Sequence, residues 1–214
     1  MKLPTITSII AVTLILPVSA LDAQEKQALI DLYEEERVAF ELYEGFNAQY
    51  DLRPFANISS SEQRHREMMA DLLKSFDIVP PKSPGKGKFE NPELQAIYNQ
   101  LSAEGKVSVE KALAAAALVE ETDIRDLEQV AKASDSKEVK DTCELLIAAS
   151  ENHLRAFVRN LESRDVTYIP QVLAEKQFKE IIDEEMSRGG KGQGKGKGRG
   201  KGNGRGQGKR CCCE

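Results

Sequence analysis

The 214-residue chain has only two histidines, His65 and His153. His65 stands in Glu62-Gln63-Arg64-His65, where a three-residue spacing puts carboxylate and imidazole on one helix face, close enough to share a metal ion. The surrounding positions Phe55, Ile58, Glu62, His65, Met69, Leu73 and Phe76 fall on one stripe at about 100° per residue, so Glu62 points into a core. A lone buried carboxylate is costly unless it is paired, protonated or bound to a cation. Glu62 therefore calls for partners from other elements.

Three further segments supply them. From about Glu25, the stripe Leu29, Leu32, Tyr33, Glu36, Phe40 and Tyr43 carries Glu36 inward, with Glu34 and Glu41 turned to solvent. From about Lys106 to Lys132, Leu113, Ala117, Glu120, Ile124, Leu127 and Ala131 align, with Glu120 on the stripe and Glu121 at its edge. From about Ser136 to Ser163, Val139, Cys143, Leu146, Ser150, His153, Phe157 and Leu161 align, so His153 is central. One Glu from each of two helices and Glu-x-x-His from each of two others is the donor set of a di-metal carboxylate bundle. The chain departs from it once: three residues before His153 stands Ser150. The second metal position is short of a carboxylate.

The segments Glu34-Glu35-Glu36-Arg37-Val38-Ala39, Ser61-Glu62-Gln63-Arg64-His65, Val119-Glu120-Glu121-Thr122-Asp123-Ile124, Ser150-Glu151-Asn152-His153-Leu154-Arg155-Ala156-Phe157 and Tyr168-Ile169-Pro170-Gln171 resemble a prokaryotic ferritin-like family, the domain of unknown function two thousand two hundred and two. The likeness runs from about Leu21 to Met186 and keeps the order of motifs. It implies an all-α, ferritin-like four-helix bundle with a long crossover between the second and third long helices and a short fifth helix. Likeness to the wider ferritin and rubrerythrin group implies a diiron centre that reacts with oxygen or peroxide. Carried over by position, the ligand candidates are Glu36, Glu62, His65, Glu120 and His153, with Glu121 as substitute if the helix phase slips by one. Ser150 leaves room for one metal, a water-completed second site, or manganese or zinc in place of iron.

A plainer account needs no metal, since a fully satisfied polar network between helices can fix their register. Four inward donors on four consecutive helices favour the metal. Tyr33 and Tyr43 share the Glu36 stripe and read as packed aromatics, with a hydrogen bond to a ligand as the alternative. Cys143 reads as a small buried hydrophobe.

The elements that must position these residues follow from punctuation. Val79-Pro80-Pro81-Lys82-Ser83-Pro84-Gly85-Lys86-Gly87 breaks the helical pattern, and a short helix from Pro92 to about Ala103 follows it. Such a connection is long enough to cross the bundle, whereas the other links suit antiparallel hairpins. After the bundle, Pro170 opens a fifth helix to about Met186.

Both ends fall outside that domain. Lys2, the apolar run Ile9 to Val18 and Val18-Ser19-Ala20 read as a secretory signal over residues 1–20, which makes the chain an exported one. Residues 187–214 alternate Gly with Lys, Arg, Gln and Asn and end in Cys211-Cys212-Cys213-Glu214, a composition that buries nothing. They hold 9 of the 30 Lys and Arg and 1 of the 35 Asp and Glu, net +8 against −13 for the rest. The acidic body suits metal cations, and the tail suits an anionic polymer or surface. The tail lacks base-stacking aromatics, which argues against specific nucleic acid binding. A homo-oligomer, linked through the terminal thiols or otherwise, is the remaining partner class. The competing functional class is a non-catalytic structural or binding protein that associates through its tail.

Overall fold

A computed structural model describes Leu21 to Glu184; the expected signal segment and basic tail lie outside the described residues. Among these there are six α-helices and no strand: α1 (Ala23–Tyr50), α2 (Arg53–Ser75), α3 (Pro92–Gly105), α4 (Val109–Ala133), α5 (Lys137–Glu162) and α6 (Glu175–Asp183). None is long and apolar enough to cross a membrane.

Most starts are encoded locally. Asp22 accepts from the N–H groups of Gln24 and Glu25 at 2.8 Å, and Glu25 accepts from the Asp22 N–H at 3.0 Å, which satisfies donors that the first turn leaves free. Asn91, Ser108 and Ser136 cap α3, α4 and α5 in the same way. Between α1 and α2 only Asp51 and Leu52 remain, so the two helices must run back along each other. Gly105 is required at the end of α3, because a Cβ there would come within 2.3 Å of the Phe46 ring.

The helix α1 packs on α2 and α4, and α5 packs on α4 and α2. Their shared interior is layered. One apolar cluster gathers Tyr43, Phe46, Phe55, Leu113, Leu154 and Phe157; the other gathers Leu29, Leu32, Met69, Leu73, Leu127 and Cys143. Along each of the four helices the polar inward residues fall between these two ends. Each fully buried Leu or Phe contributes roughly 1.5–3 kcal/mol, and that apolar gain is what holds the polar layer out of water.

Two expectations are corrected. Glu34 and Glu41 are each only 7% exposed. They clamp Arg37, whose Nη2 lies 2.6 Å from Glu34 and whose Nη1 lies 3.3 Å from Glu41. Nη1 also donates to Ser83 Oγ and the Lys88 carbonyl, and the guanidinium lies over the Phe89 ring. The link between α2 and α3 is folded down onto these acids, which covers a face the periodicity assigned to solvent. The last helix starts at Glu175, not Pro170; the residues between form a strap whose N–H groups at Gln171, Val172 and Leu173 donate to the Glu121 carboxylate.

Candidate metal centre

At mid-height, Glu62 stands at the meeting point of two imidazoles. Its Oε2 lies 2.9 Å from His65 Nδ1, one turn along α2, and its Oε1 lies 2.7 Å from His153 Nδ1 on α5. The rings of His65 and His153 stack, with centroids 5.3 Å apart. Flanking carboxylates close the ends: Glu36 Oε2 on α1 is 3.5 Å from His65 Nδ1, and Glu120 Oε2 on α4 is 3.5 Å from His153 Nδ1. Tyr43, completely buried, donates to Glu120 Oε1 at 2.8 Å. It is thus packed and hydrogen-bonded at once. Tyr33 accepts from Arg66 instead.

One donor atom from each of Glu62, His65 and His153 can be chosen so that all three lie within 4.8 Å of one another. Ligands on opposite sides of an ion at about 2.0–2.4 Å are separated by a similar span. The hydrogen-bond ledger is incomplete here. Glu36 Oε1 and Oε2, Glu62 Oε1 and His153 Nδ1 are all shut from water without a hydrogen bond of acceptable geometry. The 2.7 Å approach of His153 Nδ1 to Glu62 Oε1 is an ion-pair contact whose geometry falls short of a hydrogen bond. Buried polar atoms are ordinarily satisfied, so a cluster of orphans signals a missing partner. Carboxylate oxygens with imidazole nitrogens suit iron, manganese or zinc.

The electrostatics agree with a site that exchanges protons for a cation. Burial disfavours the charged imidazole, yet the Glu36 and Glu62 carboxylates push His65 up to about 11. Against the same penalty, Glu62 and Glu120 push His153 up to about 10. Burial would raise Glu62, but the His153 charge and then His65 outweigh it and hold that carboxyl far below the usual range. Burial, then the Asp123 charge, raises Glu36; burial, then the Glu62 charge, raises Glu120. Two protons on imidazole thus occupy the place of positive charge between the acids.

Of the residues singled out in the sequence, the fold brings together Glu36, Glu62, His65, Glu120 and His153. Glu121 is placed elsewhere. Its carboxylate accepts from Tyr168 Oη at 2.5 Å and from the N–H groups of Gln171, Val172 and Leu173. Adjacent Glu120 and Glu121 are both buried because α4 is covered on two sides, by the core and by the strap 168–173.

Two acids were not singled out. Asp123, one turn beyond Glu120, is 8% exposed and accepts from Ser150 Oγ at 2.5 Å, while its Oδ1 has no partner. Burial, then the Glu120 charge, pushes it up to about 7. Glu35 is pushed up to about 8 by burial, then by Asp126 and Asp123. The signal for Asp123 was its three-residue spacing from Glu120; Glu35 stands off the helix stripe and gave none.

The family described as "Uncharacterized protein domain (DUF2202)" matches residues 25–185, which leaves both terminal segments outside. The uncharacterized protein MJ0754 of Methanocaldococcus jannaschii is 35% identical over 175 residues, 81% of this chain and 95% of that protein. The crystal structure of the hypothetical protein MJ0754 superposes with a TM-score of 0.77, covering 80% of this chain and 99% of that one.

Proposed function

The chain belongs to the uncharacterized DUF2202 domain family, and from that footing we propose that it is a ferritin-like protein holding a transition-metal ion between α1, α2, α4 and α5. Glu62, His65 and His153 are the central ligands, and Glu36 and Glu120 neutralise and complete the site. The observation that carries this reading is the set of orphaned buried atoms on Glu36, Glu62 and His153. Support for the ferritin-like topology comes from the packing of α1 on α2 and α4 and of α5 on α2 and α4, with the long link and α3 serving as the crossover. Iron is the leading candidate, with manganese or zinc as substitutes, since the donor set accepts all three. A bound iron or manganese ion would supply redox chemistry toward oxygen or peroxide. The protein's part is to hold that ion between two apolar clusters, with Tyr43 orienting Glu120.

Elemental analysis of untagged protein loaded separately with Fe(II), Mn(II) and Zn(II) tests this. Stoichiometric metal in the wild type, lost in Glu62→Gln and His65→Ala, is the expected result. Equal trace metal in all three proteins would leave a non-catalytic structural protein as the account.

We also propose that the chain is exported, with residues 1–20 removed and residues 187–214 left as a basic tail that associates with an anionic polymer or surface. The support is the apolar run before Val18-Ser19-Ala20 and the net +8 of the tail. Intact mass from the native host should begin near Leu21, and tail deletion should abolish salt-sensitive retention on polyanions.

A further inference from the structure

The cluster is not sealed. A cleft of about 520 Å³ opens between α1, α3 and α4, and its wall includes Glu62 and Glu120 at the inner end and Asp31 and Glu35 toward the outside. Two carboxylate ridges line it. On α1, Asp31 and Glu35 are four residues apart; on α4, Glu120, Asp123 and Asp126 follow one another at three. Those spacings stack side chains one turn apart along a helix face. Leu94, Ile97 and Leu101 of α3 line the remaining side. Arg125 is the only cation on the wall, and Asp126 holds its Nη2 at 2.6 Å.

Acids in a row do not make a path, since solvation alone explains exposed ones. Asp123 is different. It is 8% exposed and lines the cleft, Ser150 Oγ holds one of its oxygens at 2.5 Å, and its other oxygen is shut from water without a partner. Glu35 Oε2 is likewise shut from bulk water and unpartnered. Buried carboxylate oxygens left without a partner beside a cleft are acceptors awaiting a donor or a cation.

We propose that the α1/α3/α4 cleft is the path by which a divalent cation reaches the centre, passing from Asp31 and Glu35 to Asp123 and then to Glu62 and Glu120. Ser150, which stands where a second ligating Glu was expected, is a positioning residue that aims Asp123 at the path. The acids focus the potential of an acidic body into a low-dielectric groove, which raises local cation concentration and the rate of capture. The proposal rests on the centre being a metal site, and it concerns the rate of filling, not the final occupancy.

The test is rapid mixing of full-length protein with Mn(II), with free aqueous Mn(II) followed by its electron paramagnetic resonance signal. Mn(II) is a hard ion that carboxylates bind and thiolates bind poorly, so Cys211 to Cys213 do not compete. At pH 8.5, above the value of about 8 to which burial and the Asp126 charge raise Glu35, Glu35→Gln and Asp31→Asn should slow uptake roughly tenfold or more while final stoichiometry, helicity and melting stay at wild-type values. Glu144→Gln, which removes one charge from the exposed face of α5, should leave the rate unchanged. Raising salt should bring the wild-type rate down toward that of the variants. Wild-type uptake with all three variants within twofold overturns the path alone. Reduced stoichiometry in Glu35→Gln also overturns it, by making Glu35 a ligand. No uptake by wild type overturns both the path and the metal centre.

Discussion

Ser150 Oγ donates to Asp123 Oδ2 at 2.5 Å across the α4–α5 interface, with Ser150 fully buried. Where α5 lacks the expected carboxylate, the hydroxyl in its place holds a carboxylate of α4 instead. Ser150→Ala should destabilise the metal-free protein by about 1–3 kcal/mol, the cost of leaving a buried acceptor unsatisfied. Urea unfolding in the presence of chelator reads this directly.

Metal uptake should release protons. His65 and His153 are held at about 11 and 10, so both are charged at pH 7, while ligation requires the neutral ring. Weakly buffered solution should acidify on Zn(II) addition, by up to two protons for the histidines. Apparent affinity should rise with pH from 6 to 9, about tenfold per unit for each proton displaced. A pH-independent affinity would place the metal elsewhere.

Stability of the metal-free form should move the opposite way. Both histidine values are raised in the fold above the ordinary value of about 6.5. Their contribution is therefore complete below about pH 6.5 and lost as pH rises through 10 to 11. The urea midpoint in chelator should fall over that alkaline window, and His65→Gln should flatten the decline.

Glu121→Gln should separate stability from metal. The carboxylate accepts from three consecutive backbone N–H groups and from Tyr168, and charge-assisted bonds of this kind are worth about 1.5–3 kcal/mol each before compensation. Loss of about 2–4 kcal/mol is expected, with faster amide exchange at Gln171, Val172 and Leu173 and unchanged metal stoichiometry. Metal loss without a stability change would return Glu121 to the ligand set.

Much was decided by the sequence alone. Helical periodicity placed Glu36, Glu62, His65, Glu120 and His153 on inward stripes, and Pro92 marked the start of the short crossover helix, because both signals act within a turn or two of chain. What a helix face meets is a different matter. Glu34 and Glu41 are polar positions that only a returning loop could bury. The choice between Glu120 and Glu121 depended on which side of α4 the strap 168–173 crossed. Asp123 became part of the polar layer only because Ser150 faced it from 27 residues away. Local spacing states which atoms share a face. Which of them are left without a partner is a property of the packed whole, because hydrogen bonds between helices are settled only when the helices have met.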